Sequence, residues 1–547
     1  MRIRTLFLSM VVGLAFVGCS NEEDMTSGNN GEPQYLTVSV NATSTLTRAN
    51  HLQGDYEDGK GVENAVSKVR FYFFDADGNA AQVKGNSGGT YFDVTNPTGT
   101  EQNKPNVEKI LEATLVIQTP DKDKVPASIV AVVNPKEGLG AVASIKKLNE
   151  EIADHSNTTS FIMSSSVYAD EGTKMEAVNV AGHLYPTADA AEADPVIIHV
   201  ERVLAKARLT VGLTANENGV YKTSSDGSQE FNDEEIYVKF LGWNVTATAK
   251  TSRLMKEINP SWPSNLFGST TLWNTADYYR SFWAVNPTDM EYTYGSFDTA
   301  ENPANAITAF DNNNGNKNYT YLQENASDSY SDGSDPEKPS QVIIAARLVK
   351  ADGTTPIEFA EYAGERTTIE GLIAKYAAAS GLWKEKEDGS GRIGIDVADI
   401  ELKTATEIDA GNQETSGRYK VYAQLTEAAS KINWYASEDA EATVDANNVL
   451  KGLGGAKVWK NGNTYYYFDI QHLNGGASAE NVKGKKGVVR NHIYAATINS
   501  LVGLGTPVYD PEEIIYPEHP EDDDTYIAAQ IRILSWRVVN QGIDLEW

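Results

Sequence analysis

The sequence predicts an all-β protein, mostly strand with a few short helices, and three observations carry that expectation. Turn-forming residues are plentiful, with 44 glycines among many Asn, Asp, Ser and Thr, while Tyr and Val are common. Short runs rich in β-branched and aromatic residues recur along the chain, each bounded by turn residues. Long 3.6-residue periodicities are few. At 547 residues the chain is also too long for a single core, and two or three domains are expected.

Taken in order, Ser20 to Pro33 is polar and Gly/Asn-rich and reads as a flexible leader. "YLTVSVNA" then places Leu36, Val38, Val40 and Ala42 on one face and Thr37, Ser39 and Asn41 on the other, the pattern of a half-buried strand. A small-residue, polar segment follows, with Arg48 in it. "VSKVRFYFFDADGN" is a strand closed by a turn at Asp77-Gly78-Asn79. "EATLVI" and "ASIVAVVNP" are two more, and "SIKKLNEEIA" is a short helix packed on a sheet. "PVIIHVERVLAKARLTVGL" is a continuous β-rich run, and the first domain boundary is placed in it, near Val200. "EIYVKFLGWNVTATAK", "QVIIAARLVKADGTTP", "YYYFDIQ" and "NHIYAATINSL" are strands by period and composition, and residues 302–340 read as a long polar loop. Thr367 and Glu370 predict a capping box for one clear helix, with the stripe Ile369, Leu372, Ile373 and Tyr376 and a stop at Gly381. Strands with turns and sparse helices imply β-sandwiches. Beyond Pro507, "YDPEEIIYPEHPEDDD" reads as an extended, self-repelling linker to a terminal strand.

A formal net charge of −30 argues against nucleic-acid binding, because no basic patch is dense enough to displace counterions from phosphates. Cys19 is the only cysteine, so neither an internal disulfide nor a cysteine metal site is expected. It follows basic Arg2 and Arg4, an apolar run from Leu6 to Phe16 and small Gly18, which together have the form of a signal peptide. No other run is long and apolar enough to span a bilayer. Among the histidines, His51, His155, His183, His199 and His492 lack metal-ligand spacing and read as packing residues. Neither HExxH, nor G-x-S-x-G, nor a P-loop is present, and no carboxylate pair stands out, so no enzymatic activity, cofactor or metal is expected. "DADGN" at 75–79 and "DNNNGN" from Asp311 lack the spacing of a calcium loop, and the first reads as a hairpin turn. Trp262, Trp273, Tyr278, Tyr279 and Trp283 read as core aromatics, with sugar stacking as the competing role.

Two features stand apart. Arg48 in "TLTRAN" is a loop arginine or a site for a trypsin-like protease, and a cut there would release the strand Leu36 to Ala42. At the far end, Ile527, Ala529, Ile531 and Ile533 alternate with polar or small residues, and a break at Leu534-Ser535 brings in Trp536 and Val538. On the residues alone this stretch is either the last strand of its own domain or a strand meant for another molecule.

Several segments resemble the Bacteroidales fimbrillin family, the type V pilins, and especially the branch of the minor-fimbria major shaft subunit. They are "VERVLAKARL" at 200–209, "YLQENA" at 321–326, "VVRNHIYAATINSLVGLGTP" at 488–507 and "ILSWRVVNQGIDL" at 533–545. Gly18-Cys19 resembles a lipobox, with Phe16 where leucine is usual, and Ser20-Asn21-Glu22-Glu23-Asp24 resembles an acidic surface-export signal. The resemblance implies two transthyretin-like β-sandwich domains in tandem plus a C-terminal donor strand segment. On this plan 1–18 is a lipoprotein signal peptide, 19–48 a propeptide with the first strand, 49–200 and 201–506 the two sandwiches, and 507–547 the linker and donor strand. It further implies lipidation at Cys19, cleavage between Arg48 and Ala49 by an Arg-specific protease, and a donor core from Tyr526 to Val539. The partners implied are further copies of the chain, anchor and tip subunits, that protease, and the outer membrane through the lipid. The localisation implied is the outer membrane for the precursor and then the fimbrium.

Elementary energetics agree with such a swap. A vacated strand position is a template for another strand. Re-burying four to six apolar side chains brings on the order of 10 kcal/mol before association costs. A contact between opposite ends of like chains propagates instead of closing. The expected function is therefore a structural shaft subunit of a surface fimbria serving adhesion or biofilm formation; the alternative is a surface glycan-binding lipoprotein.

Overall fold

The computed structural model describes residues 34–41, 59–257 apart from short breaks, 286–287, 290–301, 319–325, 339–408, 419–470, 487–516, 527–530 and 537–545. It is mostly β, as expected. In the N-terminal part the strands are β1 (Gln34–Asn41), β2 (Lys68–Phe74), β3 (Tyr91–Thr95), β4 (Gly99–Lys104), β5 (Val107–Ile117), β6 (Ser128–Val133), β7 (Met163–Ser165) and β8 (Val196–Arg202). Their spatial order is β3-β2-β6-β7-β8-β1-β5-β4. β8 belongs to two layers. Its first half, Val196 to His199, pairs with β1, and its second half, Val200 to Arg202, pairs with β7. The layers fold over one core holding Leu36, Val38, Phe71, Leu115, Ile129 and Ile198.

The opposite face of β2 and β6 is covered as well, because Tyr72, Phe74, Val130 and Val132 pack under Leu148 of the helix Ile145–Glu150. Burial on both faces explains why "RFYFF" does not alternate. Arg70 survives there by ion-pairing with Asp93 through Nε at 2.6 Å. At "DADGN", Asp75 Oδ1 accepts from the backbone N–H groups of Asp77 and Asn79, each at 2.9 Å, so the segment is a hairpin turn.

A single residue, Val203, separates β8 from β9 (Leu204–Val211), which starts the next sandwich. This has β10 (Tyr237–Thr246), β11 (Tyr319–Gln323), β12 (Gln341–Val349), β13 (Asn463–Asp469), β14 (His492–Leu501), β15 (Ile527–Gln530) and β16 (Arg537–Leu545). One sheet runs β11-β9-β14-β16-β15; the other runs from Tyr221–Lys222 through β10, β12 and β13 to Thr506–Pro507. Leu209, Trp243, Ile344, Tyr466 and Ile498 from both sheets share the core between them. β11 is a correction to the reading of 302–340 as loop: Tyr319 to Gln323 pair antiparallel with Arg208 to Leu204.

Between β12 and β13 lies a further body that the sequence reading did not separate. Five strands, in the order Glu365–Thr367, Phe359–Tyr362, Ala456–Trp459, Lys420–Leu425 and Ile400–Thr404, form its sheet. Its own core contains Leu372, Tyr376, Ala423, Leu450 and Val458. The helix over it, Ile369–Ser380, starts one residue later than the expected capping box: Thr368, not Thr367, is the N-cap, and its side chain accepts from Gly371 N–H. Gly381 ends it in the left-handed region, at φ 62°. The insert is rooted by Phe359 stacked on Trp459, with centroids 4.6 Å apart. The chain returns through Gly462, where φ is +73° and a Cβ would lie 2.4 Å from Leu348 O. Only glycine fits there.

Candidate assembly interface

β1 is an interior strand. It pairs antiparallel with β5 from Gln34 opposite Ile117 to Asn41 opposite Ile110, and parallel with β8 from Val38 opposite Val196 to Asn41 opposite His199. Leu36 and Val38 are fully buried in the core. Val40 lies on the strand opposite Leu111, and Ala42 lies outside the described residues. The other face is closed too, which alternation alone did not foretell. Thr37 and Ser39 are 6% and 7% exposed, under the helix Ala188–Glu192. The Thr37 and Thr114 hydroxyls are 3.0 Å apart, and Thr114 donates to Glu192 at 3.3 Å. Cys19, Arg48 and Ala49 lie outside the described residues.

At the other end, β16 pairs parallel with β14, from Arg537 opposite His492 to Leu545 opposite Leu501. β15 pairs antiparallel with β16, with Ile527 opposite Leu545 and Ala529 opposite Ile543. In this single chain the terminal segment therefore lies on its own sheet. Ile527 and Ala529 fall on β15 and Val538 on β16, while Ile531, Ile533 and Trp536 lie outside the described residues. β16 runs past Val539, the expected end of the donor core, to Leu545.

The expected linker is docked over its first part. Thr506 and Pro507 pair with Tyr465 and Thr464 of β13, and Ile514 and Ile515 pair with Ser296 and Gly295. Val508 and Ile515 are buried, which is the physical reason this acidic stretch does not stand off in solvent.

The junction of the two sandwiches is sealed by buried polar groups. The Glu63 carboxylate accepts from Lys206 Nζ at 2.8 Å and from the Tyr321 hydroxyl. Arg202 donates through Nε to Glu63 O at 2.9 Å and through Nη1 to Asn491 Oδ1 at 3.3 Å. Arg490 donates to Glu324 at 2.7 Å and to the backbone of Leu254 and Arg253 at 2.9 and 2.6 Å. Burial, and then the Glu63 carboxylate, push the Tyr321 phenol far above its usual range.

Among the described residues no group of His, Cys, Asp and Glu is placed to hold a metal, and no helix is long and apolar enough to cross a membrane. His199 and His492 are buried, and His492 Nδ1 donates to Arg490 O at 2.6 Å. His51, His155, Asp311 and the aromatics Trp262, Trp273, Tyr278, Tyr279 and Trp283 lie outside the described residues.

Residues 457–542 match the family model for the C-terminal region of the major fimbrial subunit protein type IV, fimbrillin. Over that region the chain is similar to the fimbrillins. The match takes in β13, β14, the docked stretch and both terminal strands as far as Gly542. No curated protein sequence matches the chain. Among solved structures, a fimbrial assembly protein from Parabacteroides distasonis is 11% identical, covers 61% of this chain and 93% of its own, and has a TM-score of 0.29. The tip fimbrial protein Mfa3 from Porphyromonas gingivalis, with a C-terminal truncation, is 12% identical over 61% of this chain and 83% of its own, at a TM-score of 0.25. The fimbrial anchor protein Mfa2 from the same organism is 11% identical over 62% and 84%, at 0.22. The likeness to the fimbrillins rests on this C-terminal match.

Proposed function

We propose that the chain is the shaft subunit of a cell-surface fimbria, exported as a lipoprotein anchored through Cys19, cut between Arg48 and Ala49, and polymerised by strand exchange. The observation that carries this reading is the place of β1. It lies ahead of Arg48 in the chain, yet it sits inside the sheet with β8 on one side and β5 on the other. Its loss would leave an apolar slot bordered by core residues such as Leu115 of β5 and Ile198 of β8, two strands that would each have lost a partner. An incoming strand would meet a parallel neighbour and an antiparallel one. The terminal β16 already pairs in that combination, parallel with β14 and antiparallel with β15. Exchange would use the segment holding Ile527, Ala529, Ile531, Ile533, Trp536 and Val538 from one copy in the slot of the next, giving a head-to-tail filament. Anchor and tip subunits, an Arg-specific protease and the outer membrane are the partners this scheme requires. The role is structural and needs no catalytic step of its own.

The test is the state of the protein on cells. Mature material should begin at Ala49, and Arg48→Ala should leave full-length, lipid-anchored, unassembled precursor; normal polymer from that variant would refute the cleavage site. Deleting Thr525 to Trp547 separates exchange from a last strand serving its own sheet. A donor's loss leaves a folded monomer, whereas loss of an own-domain strand unfolds the C-terminal sandwich.

A further inference from the structure

The outer face of the second sheet of the C-terminal sandwich is apolar. Ile343, Ala345 and Tyr465 point away from the main core and form a separate cluster with Phe297, Val508 and Ile515. Val508 and Ile515 come from the stretch Thr506–Tyr516, so this stretch covers that face together with the helix Phe297–Glu301. It is held along its length by backbone contacts. Val508 N–H donates to Asn463 O at 3.1 Å, and Asp298 N–H donates to Pro511 O at 2.9 Å. The Thr246 hydroxyl donates to Ile515 O at 2.9 Å, beside the paired Ile514–Ile515 and Gly295–Ser296. The Tyr516 ring rests on Tyr294, with centroids 4.5 Å apart. The same stretch grips the insert: the Tyr509 hydroxyl donates to Leu402 O at 3.4 Å, Lys460 Nζ sits 4.4 Å from the Tyr509 ring centroid, and Thr406 donates to Glu513.

We propose that Thr506–Tyr516 is a permanent mooring, from which only the chain beyond Tyr516 departs during assembly. The mooring fixes where the terminal segment is handed over and clamps the insert to the sandwich in the same contact. The handover rests on the strand-exchange reading; the mooring itself does not. Ten residues, 517–526, separate Tyr516 from the first terminal strand. Fully extended they span at most about 36 Å, so the slot of the receiving subunit must lie within that distance of the mooring's end.

Two measurements test it. In hydrogen exchange on the full uncut chain, peptides covering 506–516 should exchange at least about a hundredfold more slowly than unprotected amides. Exchange at the unprotected rate overturns the mooring, whether or not the protein polymerises. The second measurement staples the mooring through Ser296→Cys with Ile514→Cys, directly opposed residues of an antiparallel pair and so within reach of a disulfide. Oxidised and reduced forms should polymerise alike. Polymer from the reduced form alone would show that the stretch must peel away, which also overturns the proposal. If even the unaltered chain gives no polymer, the exchange reading fails, and protection of 506–516 alone decides the mooring.

Discussion

Lys206 and Glu63 show what a single buried charge can fix. Their side chains are 7% and 2% exposed, and their charged atoms are 2.8 Å apart. Such a pair adds little over apolar replacements, but breaking it is costly because the survivor is left buried without its counter-charge. Lys206→Met should therefore lower unfolding stability by about 3–5 kcal/mol, read from urea unfolding curves, and Glu63→Leu added to it should restore much of the loss. A loss under about 1 kcal/mol from Lys206→Met would show that the pair does not hold the junction. The sequence marked Lys206 and most of its neighbours at the junction only by resemblance, and Glu63 not at all. Lys206 lies in "VERVLAKARL", Tyr321 and Glu324 in "YLQENA", and Arg490 and Asn491 in "VVRNHIY". Folding brings all three segments to one place, and their hydrogen bonds supply the physical reason for those residue types. Nothing local in any one segment announces the other two, because the partners lie hundreds of positions away.

At the scale of elements, β1 was readable because Leu36 and Val38 alternate with polar residues, and both are fully buried. That its polar face is covered by Ala188–Glu192 was not readable, since a helix about 150 positions downstream leaves no trace in the period of the strand. Leu36→Ala should destabilise the uncut chain by about 2–5 kcal/mol in a melting experiment. On the proposed function the same substitution should leave the cut, assembled fibre unchanged, because the altered residue has been removed. A weakened fibre would mean that β1 stays in place. β11 escaped the reading because Tyr-Thr-Tyr-Leu-Gln shows only mild alternation and gains its order from pairing with β9. The docked stretch after Thr506 was misjudged for a related reason. Its charges suggest repulsion, whereas Val508 and Ile515 decide its position by meeting an apolar face made elsewhere.

For the whole molecule, a net charge of −30 means that copies repel before they dock. Raising ionic strength from about 10 to 150 mM shortens the screening length from about 30 to about 8 Å. The initial polymerisation rate of cut subunits, followed by light scattering, should then rise by about tenfold. A rate that falls with salt would mean that opposite charges lead the docking instead. The insert between β12 and β13 is also a property of this scale. Each of its strands is ordinary in sequence, and only the contacts among Leu372, Ala423 and Val458 show that they close a core of their own.

By itself the sequence determined the strand content, most strand positions, the two chain ends that stand out, and a resemblance to the fimbrillins carried by four short segments. Those properties are local: side-chain period, turn chemistry and short runs of residue types. Only the tertiary structure decided that β1 is interior, that three distant segments seal the junction, that an extra core interrupts the second sandwich, and that the linker is moored as far as Tyr516. Each of these depends on burial between residues far apart in the chain, and no local pattern records which surface will cover which.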